Sequence, residues 1–119
     1  MHSSLRFYET RQYQGEGQVF HPGQTIYAYL VLEGLGQGEQ NLVIDWLDPS
    51  GAVQEQVHEQ FRADRTGVFQ RMFVFKLSRL GMFSRIFAGS SYSPRFLGAW
   101  TCCLFLNGRS VKEYAFTIR

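Results

Sequence analysis

The sequence predicts an all-β domain, an antiparallel β-sandwich of seven or eight short strands. Three observations carry this. Turn signals recur about every ten residues along the 119-residue chain. Phe, Tyr, Val and Gly are common while helix-favouring Ala and Lys are scarce. The runs between the turns alternate apolar and polar residues with the two-residue period of a strand.

In order, Leu5-Arg6-Phe7 opens an alternating run to Tyr13, an edge strand broken by Gln14-Gly15-Glu16-Gly17. Val19-Phe20 is a short strand that ends in the Pro22-Gly23 turn. In Thr25 to Glu33, Ile26, Ala28, Leu30 and Leu32 form one face and Tyr27, Tyr29 and Val31 the other. Two apolar faces predict burial against a second sheet on one side and some cover on the other. After the flexible Gly34-Leu35-Gly36-Gln37-Gly38, the strand Leu42 to Leu47 places Leu42, Ile44 and Trp46 on one face.

Asp48-Pro49-Ser50-Gly51 has the residues of a type I turn: Asp first, Pro second, Gly last. Val53 to Phe61 carries Glu55 and Glu59 in its apolar row and reads as a solvated strand at a sheet edge. Val68 to Leu77 is the next strand, with Phe69, Phe73, Phe75 and Leu77 as its stronger face. The connection Ser78 to Phe96 is long for a sandwich. Leu80, Phe83, Ile86 and Phe87 recur in it at near-helical spacing, which predicts a short helix in its middle.

The last stretch, Gly98 to Arg119, is a hairpin about Asn107-Gly108. A plain two-residue loop would set Trp100 opposite Ala115 and throw the apolar rows Trp100, Cys102, Leu104 and Tyr114, Phe116, Ile118 onto opposite faces. A three-residue loop with a left-handed Gly108 in a bulge pairs Phe105 with Arg109 and Trp100 with Tyr114, and the rows coincide. The expectation is the bulged form.

Several residues together resemble an immunoglobulin-like domain over nearly the whole chain, 1–119, read as one domain. They are Pro22-Gly23 before the second long strand, Trp46 followed by Asp48-Pro49-Ser50-Gly51, Gly98-Ala99-Trp100, and the Asn107-Gly108 hairpin. The likeness is greatest to the modules of bacterial envelope and macroglobulin-type proteins. It implies an immunoglobulin-like β-sandwich in which Ser78 to Phe96 joins strand E, Val68 to Leu77, to strand F, which begins at Gly98-Ala99-Trp100, and a noncatalytic binding or structural module. Cys102 stands where strand F of an antibody domain has its cysteine, but strand B, Thr25 to Glu33, offers no partner, so the antibody-type disulfide is excluded.

Composition narrows the function further. The length suffices to bury roughly two-thirds of the unfolded surface. No run of 18 or more apolar residues spans a membrane. Met1-His2-Ser3-Ser4 lacks the blocks of a signal peptide. The expected compartment is the cytoplasm, or the cell envelope and periplasm if a leader has been removed. Net charge is +2, yet residues 1–60 carry −6 and residues 61–119 carry +8. Such asymmetry marks an anionic partner, unless the halves interleave and neutralise each other.

No nucleophile elbow, metalloprotease helix or phosphate loop occurs. The strand that follows Gly34-Leu35-Gly36-Gln37-Gly38 excludes a dinucleotide site, which needs a helix there. Adjacent cysteines on a strand point to opposite faces and cannot bond each other. Three scattered histidines make no zinc site. The reading is a noncatalytic module with no metal and no cofactor.

Its expected contact surface is the basic, aromatic connection: Arg79, Leu80, Met82, Phe83, Arg85, Ile86, Phe87, Tyr92 and Arg95. The expected partner is a protein, a second copy of the chain included. The first alternative is an anionic polymer, nucleic acid or acidic glycan, on the Arg-rich stretch 62–95. A further alternative is a carbohydrate on a flat aromatic row, Tyr27, Tyr29 and Val31 with Cys103 and Phe105, were their strands neighbours.

Overall fold

A computed structural model describes residues 1–76 and 96–119. Eight strands form two sheets. They are β1 (His2–Tyr8), β2 (Val19–Phe20), β3 (Thr25–Glu33), β4 (Gly38–Leu47), β5 (Val53–Ala63), β6 (Phe69–Lys76), β7 (Gly98–Leu106) and β8 (Arg109–Ile118). The small sheet has the order β1-β3-β6 and the large sheet β2-β8-β7-β4-β5. All pairings are antiparallel except β2 with β8, where the chain crosses sheets and adds two residues in parallel.

The predicted inner rows meet between the sheets. Ile26, Ala28, Leu30 and Leu32 of β3 face Leu42, Ile44 and Trp46 of β4, all buried. Trp46 stacks on Phe75 of β6 with ring centroids 4.3 Å apart. Phe116 lies within ring contact of Phe7, Phe20, Trp46, Phe75 and Trp100. Burying aromatic rings of this size from both sheets supplies the main driving force for closing the sandwich. A polar tie adds to it, as Ser3 Oγ of β1 and the Tyr114 hydroxyl of β8 lie 2.7 Å apart.

The Asp48 turn forms as its residues dictate. Gly51 N donates to Asp48 O at 2.9 Å, and Asp48 Oδ1 accepts from Ser50 N and Ser50 Oγ. β5 is the edge strand expected, and its inward carboxylate Glu59 pairs with Arg71 of β6. Beside that pair Phe61 and Phe69 stack 3.9 Å apart, closing this side of the sandwich. An inward charge on an edge strand discourages further strand addition.

Three expectations are corrected. The first strand ends at Tyr8, not Tyr13, because the backbone turns back at Glu9 and Tyr13 adopts φ 60°. The terminal hairpin has a two-residue loop, with Leu106 opposite Arg109 and positive φ at Asn107 and Gly108. Its bulge lies further along, where β8 inserts Val111 between the pairs Phe105–Ser110 and Leu104–Lys112. Trp100 therefore pairs with Phe116, not Tyr114. The rows still coincide: Trp100, Cys102, Leu104, Phe116 and Ile118 are all buried on one face, with Tyr114 beside them.

The third correction concerns the aromatic row. Tyr27, Tyr29 and Val31 belong to the small sheet, Cys103 and Phe105 to the large one. The two groups occupy opposite outer faces and form no common surface. The helix expected between residues 78 and 96 falls almost wholly outside the described residues.

Candidate binding surface

The outer face of the small sheet gathers a group of tyrosines. Along β3, Tyr27, Tyr29 and Val31 point away from the core and are half-buried. Their partners across the ladders are Tyr8, Arg6 and Ser4 on β1, and Val74, Met72 and Gln70 on β6. The cover predicted for this face comes from the β1–β2 loop.

That loop is held by its own backbone. Glu9 N donates to Gln14 O at 2.9 Å, Tyr13 N to Thr10 O at 3.3 Å, and Gln14 N to Thr10 Oγ1 at 3.2 Å. Glu9 Oε1 accepts from Gln24 Nε2 at 2.9 Å, tying the loop to the β2–β3 turn. Gly15 takes φ 68°, and a side chain there would also collide with Glu9. The folded loop sets Tyr13 edge-on between Tyr8, at 5.4 Å, and Tyr29, at 5.1 Å. Tyr13 remains 52% exposed. The Arg11 guanidinium lies over the Tyr27 ring, 5.8 Å from its centre. Arg6, beside Tyr29, approaches Glu16 at 3.8 Å.

The result is a shelf of tyrosine rings and arginines with acidic residues at its margin. It can offer broad apolar contact, hydroxyl donors and guanidinium forks together. Tyr13 and Arg11 were missed as site residues because the run to Tyr13 reads as strand. Thr10, whose hydroxyl caps the turn, and the glycines after Gln14 were the signals that the strand ends early.

The outer face of the large sheet carries a polar ladder. Asp45 pairs across strands with Gln56 on one side and Cys103 on the other, and Cys103 pairs with Glu113. Gln56 Nε2 donates to Asp45 Oδ1 at 2.7 Å. Burial pushes the Cys103 thiol above its ordinary range, and the carboxylates of Glu113 and Asp45 push it further. Cys102 points into the core, and burial raises it as well. A nucleophilic cysteine needs the opposite surroundings. Among the described residues, no three His, Cys, Asp or Glu side chains group as metal ligands, and no helix is long and apolar enough to cross a membrane.

The residues singled out from sequence as a contact surface, Arg79, Leu80, Met82, Phe83, Arg85, Ile86, Phe87, Tyr92 and Arg95, lie outside the described residues. Of the rest of the basic stretch, Arg62 meets Glu39 at 3.1 Å and Arg71 meets Glu59. Both ion pairs join the basic half of the chain to the acidic half, so the halves interleave here as a neutralising fold requires.

Comparison with known proteins places the fold. A crystal structure of an immunoglobulin-like protein from Pseudomonas aeruginosa superposes with a TM-score of 0.55 at 13% identity, over 100% of this chain and 93% of that one. An alkylpurine DNA glycosylase of Pseudomonas fluorescens, bound to DNA containing an abasic-site analogue, aligns with a TM-score of 0.49 at 13% identity. That match spans 97% of this chain and 30% of the glycosylase. No family model and no curated protein matches the sequence. The two-sheet order and the first of these likenesses show an immunoglobulin-like β-sandwich.

Proposed function

We propose that this domain is a noncatalytic recognition module that binds a protein partner through the outer face of its small sheet. Tyr13, Tyr27, Tyr29, Arg6 and Arg11 are its anchors. The observation that supports this is the placement of Tyr13: a hydrogen-bonded loop holds an exposed ring edge-on against Tyr8 and Tyr29. A ring already fixed in position loses little entropy on binding, and Tyr and Arg are the residue types that dominate protein interfaces. A sugar is supported less, since it would need an open ring face and Arg11 covers that of Tyr27. An anionic polymer is supported less, since Arg62 and Arg71 already face carboxylates.

The experiment is site-specific photocross-linking in the native host, with a benzophenone amino acid at position 13 or 29. A discrete protein adduct from both positions, absent from a control at Val53 on β5, is the expected result. Labelling no stronger than at Val53 overturns the reading. The basic, aromatic stretch 79–95 is proposed as a second contact element. Its test is deletion of residues 81–91, which is expected to abolish association and leave the domain folded. An unfolded product would assign that stretch to the core instead.

A further inference from the structure

The terminal hairpin forms one wall of a cleft at the end of the sandwich. The cleft has a volume of about 680 Å³ and lies between the β3–β4 loop and the β7–β8 turn. Its apolar part comes from Leu35, Leu106 and Val111. Leu106 and Val111 pack against the core with their bodies and remain partly exposed. Its polar part comes from Arg109 and Ser110 of the hairpin and from the backbone at Gly34 and Gly36. A side chain at Gly36 would meet nothing within 4 Å, so the loop backbone there is open to an approaching group.

The walls are fixed by hydrogen bonds. Gln40, 7% exposed, donates from Nε2 to Gly36 O at 2.8 Å and accepts at Oε1 from Asn107 Nδ2 at 2.7 Å. Asn107 also accepts at Oδ1 from Asn41 N and donates from its own N to Asn41 O, both at 2.8 Å. The loop, β4 and the turn are thereby locked together. The bulge at Val111 is the second device: the inserted residue points to the cleft, and bulges recur where a side chain is re-aimed at a site. Arg109 directly follows the turn and has no ion-pair partner among the described residues.

We infer that this cleft is a binding site for a small carboxylate with a short apolar body. The carboxylate would sit on the Arg109 guanidinium, and the apolar part on Leu106, Val111 and Leu35. Guanidinium matches carboxylate geometry with two parallel hydrogen bonds. The volume falls within the range of small-molecule sites, about 300–1,000 Å³. The site is at the end of the sandwich, apart from the tyrosine shelf, and does not depend on the role proposed for that shelf.

The test is titration of the full chain with hexanoate, followed by amide chemical shifts. The expected result is saturable shifts confined to residues 34–36, 40 and 106–111, with hexanol at equal concentration producing none. Arg109→Gln should weaken binding about tenfold or more, the loss of one charge-assisted contact. Val111→Ser should weaken hexanoate and leave acetate unchanged. Absence of saturable shifts, or equal response of the Arg109→Gln chain, or an equal response to hexanol, overturns the assignment.

Discussion

Trp100 lies directly across the β7–β8 ladder from Phe116, and their rings stack with centroids 6.0 Å apart at 20°. The pairing exists because one residue, Val111, is extra on β8. Were Val111 paired in the ladder instead of bulged, the two-residue turn would set Trp100 against Ala115. Tyr114, Phe116 and Ile118 would then face solvent, because side chains alternate along a strand.

Deletion of Val111 is therefore expected to keep the pairing, because Lys112 then follows Ser110 directly and still meets Leu104. Phe116→Ala keeps the register and should cost about 3–5 kcal/mol, the usual result of emptying a buried phenylalanine site. The deletion should cost less than this and keep a cooperative transition, since Trp100 and Phe116 stay paired. Urea denaturation followed by Trp fluorescence compares the two. A deletion variant less stable than Phe116→Ala would show that the bulge does more than set the pairing.

The thiols predict a pH dependence at the alkaline end. Burial raises Cys102 well above 9.0 and raises Cys103 with help from Glu113 and Asp45. Above pH 9 the unfolded chain loses thiol protons that the folded chain keeps, so stability falls as pH rises from 9.0 toward the folded values. In the native state both thiols should resist iodoacetamide at pH 8. Glu113→Gln removes one of the carboxylates acting on Cys103 and should speed its alkylation while leaving Cys102 protected. Peptide mapping by mass spectrometry separates the two sites.

The Asp48 turn predicts the acid limb. Burial pushes the Asp48 carboxyl up, but the hydrogen bonds from Ser50, Gln54 and the Ala52 amide together outweigh it and hold the carboxyl below 3.8. A lowered pKa gives stability that is present above 3.8 and lost as pH falls through the folded value. Asp48→Asn keeps the shape and removes the charge. It should cost about 1–2 kcal/mol at neutral pH, the typical cost of weakening hydrogen bonds to a charged group. It should also flatten the decline of stability below pH 4, measured by thermal melts across pH. An unchanged acid limb would place its origin in another carboxyl group.

Much of the fold was legible because strand patterning is local. Thr25 to Glu33 carries its period of two so clearly that β3 spans the same residues. The Asp48 turn, the edge character of β5 and the buried face of the hairpin follow likewise from residues near one another in sequence. The binding shelf was not legible. Arg11 and Tyr13 read as strand, and only the fold brings them over Tyr27 and Tyr29. The shared row expected of Tyr29 and Cys103 fails for a related reason: strand patterning does not say which sheet a strand joins.

The hairpin shows where the boundary lies. The sequence by itself determined that its two apolar rows must share a face, since burying both is the only way to keep Trp100 and Phe116 from water. It also required one bulge to bring the rows together. Tertiary structure decided where that bulge lies. Asn107 is held by Asn41 and Gln40 from a strand more than sixty residues earlier. Those bonds lock a two-residue turn and move the insertion to Val111. A long-range hydrogen bond of this kind has no signature in the local pattern, and it shaped both the core pairing and the cleft beside it.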